Sequence, residues 1–192
     1  MKKNWKLVLT QGLLAGTLAS AFSTAVMVLA GRRESRSGAA PVNAVSHWAW
    51  GDDALKRQGT DLRHTGLGYL THHSATTFWA TAYAALAIQS PAMRTVPGAL
   101  LGAAATSAVA CVVDFKLTPY RFTPGYEHRL STEAVAAVYA ALAVGLAAGA
   151  LALRNKYEDK ETPASDRLKN LKAPVYEAPA PRIVRHVRAG RI

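Results

Sequence analysis

The chain has 192 residues, half of them hydrophobic, with a mean hydropathy of +0.05 and a formal net charge of +11. Such averages would suit an ordinary soluble domain, but here they mix apolar segments with very polar connectors. The single cysteine, Cys111, excludes an intramolecular disulfide, and basic flanks on anionic lipid account for the positive charge without a nucleic-acid partner.

Four stretches contain no Asp, Glu, Lys or Arg: residues 7–31, 65–93, 95–113 and 134–153. A helix of about 20 residues crosses the hydrocarbon layer, and in lipid its backbone polar groups must be satisfied internally. The pattern predicts an all-α membrane protein, a bundle of four transmembrane helices at about 7–31, 66–89, 95–114 and 131–153. Connectors 32–65 and 115–130 are expected to form an ordered periplasmic cap, and residues 154–192 a basic, Pro-containing cytoplasmic tail.

The first stretch has a rival reading as a cleaved signal peptide, with Lys2 and Lys3 in front and Ala19-Ser20-Ala21 as a small-residue cleavage site. Its apolar run continues to Ala30 before the Arg32-Arg33 pair, which favours a retained span. In the first connector, Pro41 to Trp50 is compatible with a short helix at the membrane surface or with a loop anchored by Trp48 and Trp50. Ser90 to Thr95 is too short for anything except a tight hairpin, so spans two and three are expected to be neighbours. The third connector carries two Thr-Pro turns, at Thr118-Pro119 and Thr123-Pro124, with aromatic and basic residues around them. The end of the tail, Arg182 to Arg188, reads as a solvated basic segment or as a contact for anionic lipid or a partner.

Basic residues set the expected orientation. The N-terminus, the second connector and the tail carry 14 Lys and Arg, against nine in the first and third connectors. This places both termini in the cytoplasm. A GxxxG pair recurs in three spans, Gly12 and Gly16, Gly98 and Gly102, and Gly145 and Gly149, so close helix packing is expected at the cytoplasmic end.

Polar residues gather toward the opposite end: His72 and His73 in span two, Asp114 at the end of span three and Glu133 at the start of span four. Ionisable groups at membrane depth are costly and are usually interior, paired and functional. At about 100° per residue His72, Thr76, Trp79 and Tyr83 share one stripe, and His73, Thr77, Ala80 and Ala84 the next. Asp114 opposes the helix dipole and is expected to seek a cation, with Lys116, Arg121, His72 and His73 as candidates. Trp48, Lys116 and Arg121 would stand at the mouth of such a site. The spacing specifies no metal site, haem pair, catalytic triad or nucleotide loop, so no catalytic residue and no cofactor is expected.

Gly12-Leu13-Leu14-Ala15-Gly16, a first span ending in Arg32-Arg33, Pro41-Val42-Asn43 in a long connector, and three further spans together resemble small YagU-like proteins of the bacterial inner membrane. The resemblance implies that location and supplies no site residues. The leading expectation is a non-catalytic integral inner-membrane protein that acts through the bilayer, a membrane-protein partner or a second copy of itself. The alternative is a periplasm-facing site for a small ligand, metal or lipid headgroup among spans two, three and four.

Overall fold

The computed structural model describes residues 5–154, and all regular structure among them is helical. The expectations for Lys2, Lys3 and the segment 155–192 lie outside the described residues. Six α-helices follow one another: α1 (Trp5–Glu34), α2 (Ala40–Val45), α3 (His47–Trp50), α4 (Leu67–Ala87), α5 (Val96–Val112) and α6 (Thr132–Ala152). Helix α1, the segment Val96–Leu117 containing α5, and α6 are long and apolar enough to cross a membrane. Helix α4 has 21 residues and is also long enough, but its histidines and hydroxyl side chains leave it less apolar than those three.

The four long helices form a ring in which α1 packs on α4 and α6, α5 packs on α6, and the α4–α5 seam is the least intimate of the four. Small side chains set the distance between α1 and its neighbours. A Cβ at Gly12 would lie 2.9 Å from the Thr81 Cα, and one at Gly16 would lie 2.7 Å from the Thr77 Cα. On the adjoining face of α1, a Cβ at Gly145 would overlap the Ala19 Cα, and one at Gly149 the Ala15 Cα. Backbones in lipid associate through such close van der Waals contact, since no hydrophobic effect separates helix from lipid. The third glycine pair sits differently. Gly98 lies against the Ala92 carbonyl of its own hairpin, and Gly102 faces the flexible end of Met93.

Helix termini carry their own stops. Thr95 and Ser131 accept hydrogen bonds from the Gly98 and Ala134 amides, both at 3.2 Å, capping α5 and α6. The Ser131 amide and hydroxyl in turn donate to Glu34 at 2.6 and 2.9 Å, fastening the end of α1 to the start of α6. Thirty residues make α1 roughly 45 Å long, more than a hydrocarbon core of about 30 Å, and this extra length carries Glu34 to that meeting.

The connectors are ordered by hydrogen bonds as well as by burial. Helix α2 does not lie on an outer surface as an amphipathic element, because all six of its residues are buried. It packs against α1, α4 and the turn Tyr126–His128. Gly68 and Gly125 admit the α2 backbone at the Val42 and Ala44 carbonyls, and Gly125 holds φ +87°, a value that favours glycine. The buried Asn43 amide donates to the Gly59 carbonyl at 2.8 Å and accepts from Thr65 at 2.6 Å, holding the far end of the first connector. Arg129 donates to the Leu55 carbonyl at 3.2 Å and accepts from Ser35 at 2.9 Å, joining the two connectors.

Two predictions follow from these contacts. Gly145→Ala should destabilise the bundle by about 1–3 kcal/mol because the added methyl meets backbone. Gly102→Ala should cost less than Gly145→Ala, because Met93 can swing aside and alanine favours the helix, leaving only the Tyr83 ring edge at 3.2 Å to give way. Thermal unfolding of both variants in the same detergent is the measurement. Separately, the His64 backbone amide donates to Asp61 at 2.6 Å and holds its carboxyl below the ordinary 3.8. Asp61 therefore stabilises the turn Leu62–Gly66 above pH 3.8 and loses that contribution as pH falls through its lowered folded value. Hydrogen exchange of the 61–66 amides should accelerate in that window, and Asp61→Asn should remove the acid dependence.

Candidate functional site

At the end of the bundle that carries both connectors, α4, α5 and α6 separate around a cavity of about 130 Å³. Its floor is set by the helix packing below, and its roof by α2, α3 and the third connector. Both helices on its open side are bounded by wide π-helical turns, Leu62–Gly66 before α4 and Val113–Leu117 after α5. Such turns shift side chains out of regular register and recur at functional sites.

His72 lines the cavity from the second turn of α4 and is buried. Its Nε2 lies 2.8 Å from Ser23 Oγ on α1. Asp114 lines the opposite side from the end of α5 and accepts a 2.6 Å hydrogen bond from the Tyr139 hydroxyl on α6. Tyr126 reaches in from the third connector, its ring edge-on to His72 with centroids 6.4 Å apart, and packs in one buried cluster with Tyr139. Burial pushes the Tyr126 phenol well above its ordinary range, with the Asp114 and Glu127 carboxylates adding to the effect. It is therefore a protonated donor at neutral pH. Ser107 on α5 donates to the Tyr139 carbonyl at 2.7 Å, fixing α6 against α5 just below.

Of the polar set named from the sequence, His72 and Asp114 meet at this cavity, and His73 and Glu133 do not line it. His73 turns onto Tyr69, with ring centroids 5.9 Å apart, because its stripe of α4 faces α1. Glu133 is exposed on the outer stripe of α6 with Ala137, Ala140 and Val144, where it serves the first turn of that helix. The partner of Asp114 is a phenol and not a cation. Lys116 is exposed, and Arg121 donates to the Trp48 carbonyl at 3.2 Å. Trp48 does stand at the rim, with its indole nitrogen donating to the Thr123 carbonyl at 2.8 Å and its ring edge-on to Phe122.

The sequence reading missed Tyr126, Tyr139 and Ser23. Tyr139 falls three and seven residues before the buried Leu142 and Leu146, so its helical period was a usable signal. Tyr126 and Ser23 come together with the site only through contacts across the fold. No three His, Cys, Asp or Glu side chains gather closely enough to hold a metal ion among the described residues. Comparison with protein-family models, with curated proteins and with solved structures found no match.

Tyr139→Phe tests the geometry directly. It removes the donor to Asp114 and leaves a half-buried carboxyl without its partner, so the bundle should lose about 1–3 kcal/mol in thermal unfolding. Phe115→Leu, a neighbouring change that touches no hydrogen bond of the site, should cost less than Tyr139→Phe.

Proposed function

We propose that this chain is a four-span protein of the bacterial inner membrane, with both termini in the cytoplasm, whose cavity binds a small amphiphilic molecule on the periplasmic side. Its action is binding and not catalysis. The observation that carries the reading is the convergence of His72, Asp114, Tyr126 and Tyr139, from three helices and a connector, on one cavity. Burying that many polar groups costs stability unless each is satisfied, and a purely structural bundle gains nothing by collecting them around a void. In this topology α4 is the remaining span. Its polar stripe is tolerated because His72 and Thr76 face the bundle interior.

Native mass spectrometry of the full chain from membranes, compared with Ala75→Phe, tests the proposal. Ala75 lines the cavity and takes part in none of its hydrogen bonds, so the ring fills space without removing a polar group. The unaltered chain should retain one small molecule per copy, and Ala75→Phe should lose it while keeping its thermal midpoint within a few degrees. Recovery of bulk lipid alone from both chains would reject the reading. A reporter fused after Ile192 should be active only on the cytosolic side, and activity outside would overturn the topology.

A further inference from the structure

Part of the polar lining of the cavity is committed to hydrogen bonds within the protein, and part is left free. Ser23 has a single hydroxyl proton, which it donates to the Ala19 carbonyl at 2.7 Å. The 2.8 Å contact between Ser23 Oγ and His72 Nε2 is therefore donated by the imidazole, and in the neutral ring Nδ1 is left as an acceptor. Tyr139 directs its proton to Asp114. Thr76 donates to the His73 carbonyl and Thr118 to the Val113 carbonyl, each at 2.9 Å, and the Trp48 indole donates to Thr123. Among the lining groups the Thr71 and Tyr126 hydroxyls and the Trp79 indole nitrogen keep protons with no acceptor in the described residues. Beside these donors the cavity has two acceptors, His72 Nδ1 and the second oxygen of the Asp114 carboxylate.

The Asp114 carboxylate opposes an anion and favours a ligand that donates, while the free Thr71, Tyr126 and Trp79 protons suit one whose donor oxygen also accepts. An ammonium group would bring three donors to one carboxylate and lose most of its hydration, which a single partner does not restore. A hydroxyl brings one donor and a small desolvation cost. The volume of about 130 Å³ is on the scale of an apolar cavity that holds one benzene ring, and Trp48, Trp79 and Tyr126 offer aromatic walls.

The cavity also has an apolar continuation. Trp79 borders both it and a groove of about 370 Å³ along the loose α4–α5 seam, walled by Tyr83, Leu86, Met93 and Val109. Trp79 to Leu86 is seven residues, so the groove follows α4 for roughly 10 Å. Resting on the binding function proposed above, we propose that the ligand is a membrane-dissolved phenol with an aliphatic tail. Its ring occupies the cavity, its hydroxyl donates to Asp114 or His72 Nδ1, and its tail passes Trp79 into the α4–α5 groove.

The test uses the full chain in nanodiscs, titrated calorimetrically with para-octylphenol, with its methyl ether and with octylammonium, each corrected for partition into empty nanodiscs. Para-octylphenol should saturate at one per chain and bind at least about tenfold more tightly than the ether, the factor that one hydrogen bond to a charged group contributes. Asp114→Asn, which keeps the shape and brings a donor of its own, should shrink that ratio below about threefold. Leu86→Trp, which narrows the groove far from Asp114, should weaken para-octylphenol and leave para-cresol unchanged. Equal binding of phenol and ether, or tighter binding of octylammonium, overturns the proposal while leaving a binding cavity in place. Saturable binding of none of the three probes removes the binding function together with it.

Discussion

The structure depends on how closely α1 approaches its two neighbours. Gly12 and Gly16 let α4 come against one face of α1, and Gly145 and Gly149 let α6 come against Ala15 and Ala19 on the next. This close contact is concentrated at the end of the bundle remote from the connectors, and in the membrane setting proposed above it contributes van der Waals cohesion. At the other end the interior holds Met27, Tyr126, Val138 and Tyr139 beside Ala110 and Ala134. Helices drawn together by small residues at one end and held apart by large ones at the other leave space between them. The cavity is the geometric result of that gradient in side-chain size.

The connectors turn this space into an enclosed site. Asn43, Arg129 and Glu34 each hydrogen-bond to residues distant in sequence, so the roof is fixed to the helix ends and does not depend on local propensity. Gly125 lets the third connector settle onto α2, and that placement carries Tyr126 to His72 and Tyr139. A polar network of this kind rigidifies when it is complete and is costly when it is not. Here the Tyr139, Thr76 and Thr118 protons go to protein acceptors, while those of Tyr126 and Thr71 stay free at the cavity.

Much of this was legible in the sequence. Charge-free stretches located the four long helices to within a few residues, and helical period placed His72, Thr76 and Trp79 on one stripe of α4, the stripe that lines the cavity. The same arithmetic misled at Glu133. Periodicity assigns residues to a stripe but does not say which stripe faces inward, and on α6 the buried face is that of Val138, Leu142 and Gly145. Asp114 was expected to find a cation because a charge at a helix C-terminus looks uncompensated from local sequence. Its partner is Tyr139, 25 residues on, and only the packing of α5 against α6 brings them together. The short helices α2 and α3 fall where Pro41 and the tryptophans indicated. Their burial follows from the glycines of other elements, which no local pattern reveals.

The bond between Glu34 and Ser131 joins residues 97 positions apart, and α1 has its principal contacts with α4 and α6, both made later in the chain. During synthesis the first helix emerges long before either of the surfaces that will cover it. In the membrane topology proposed above, Gln11, Ser20 and Ser23 of this helix stay uncovered by α6 until that helix is made. Among the described helices, the one made first is therefore locked in place by the one made last.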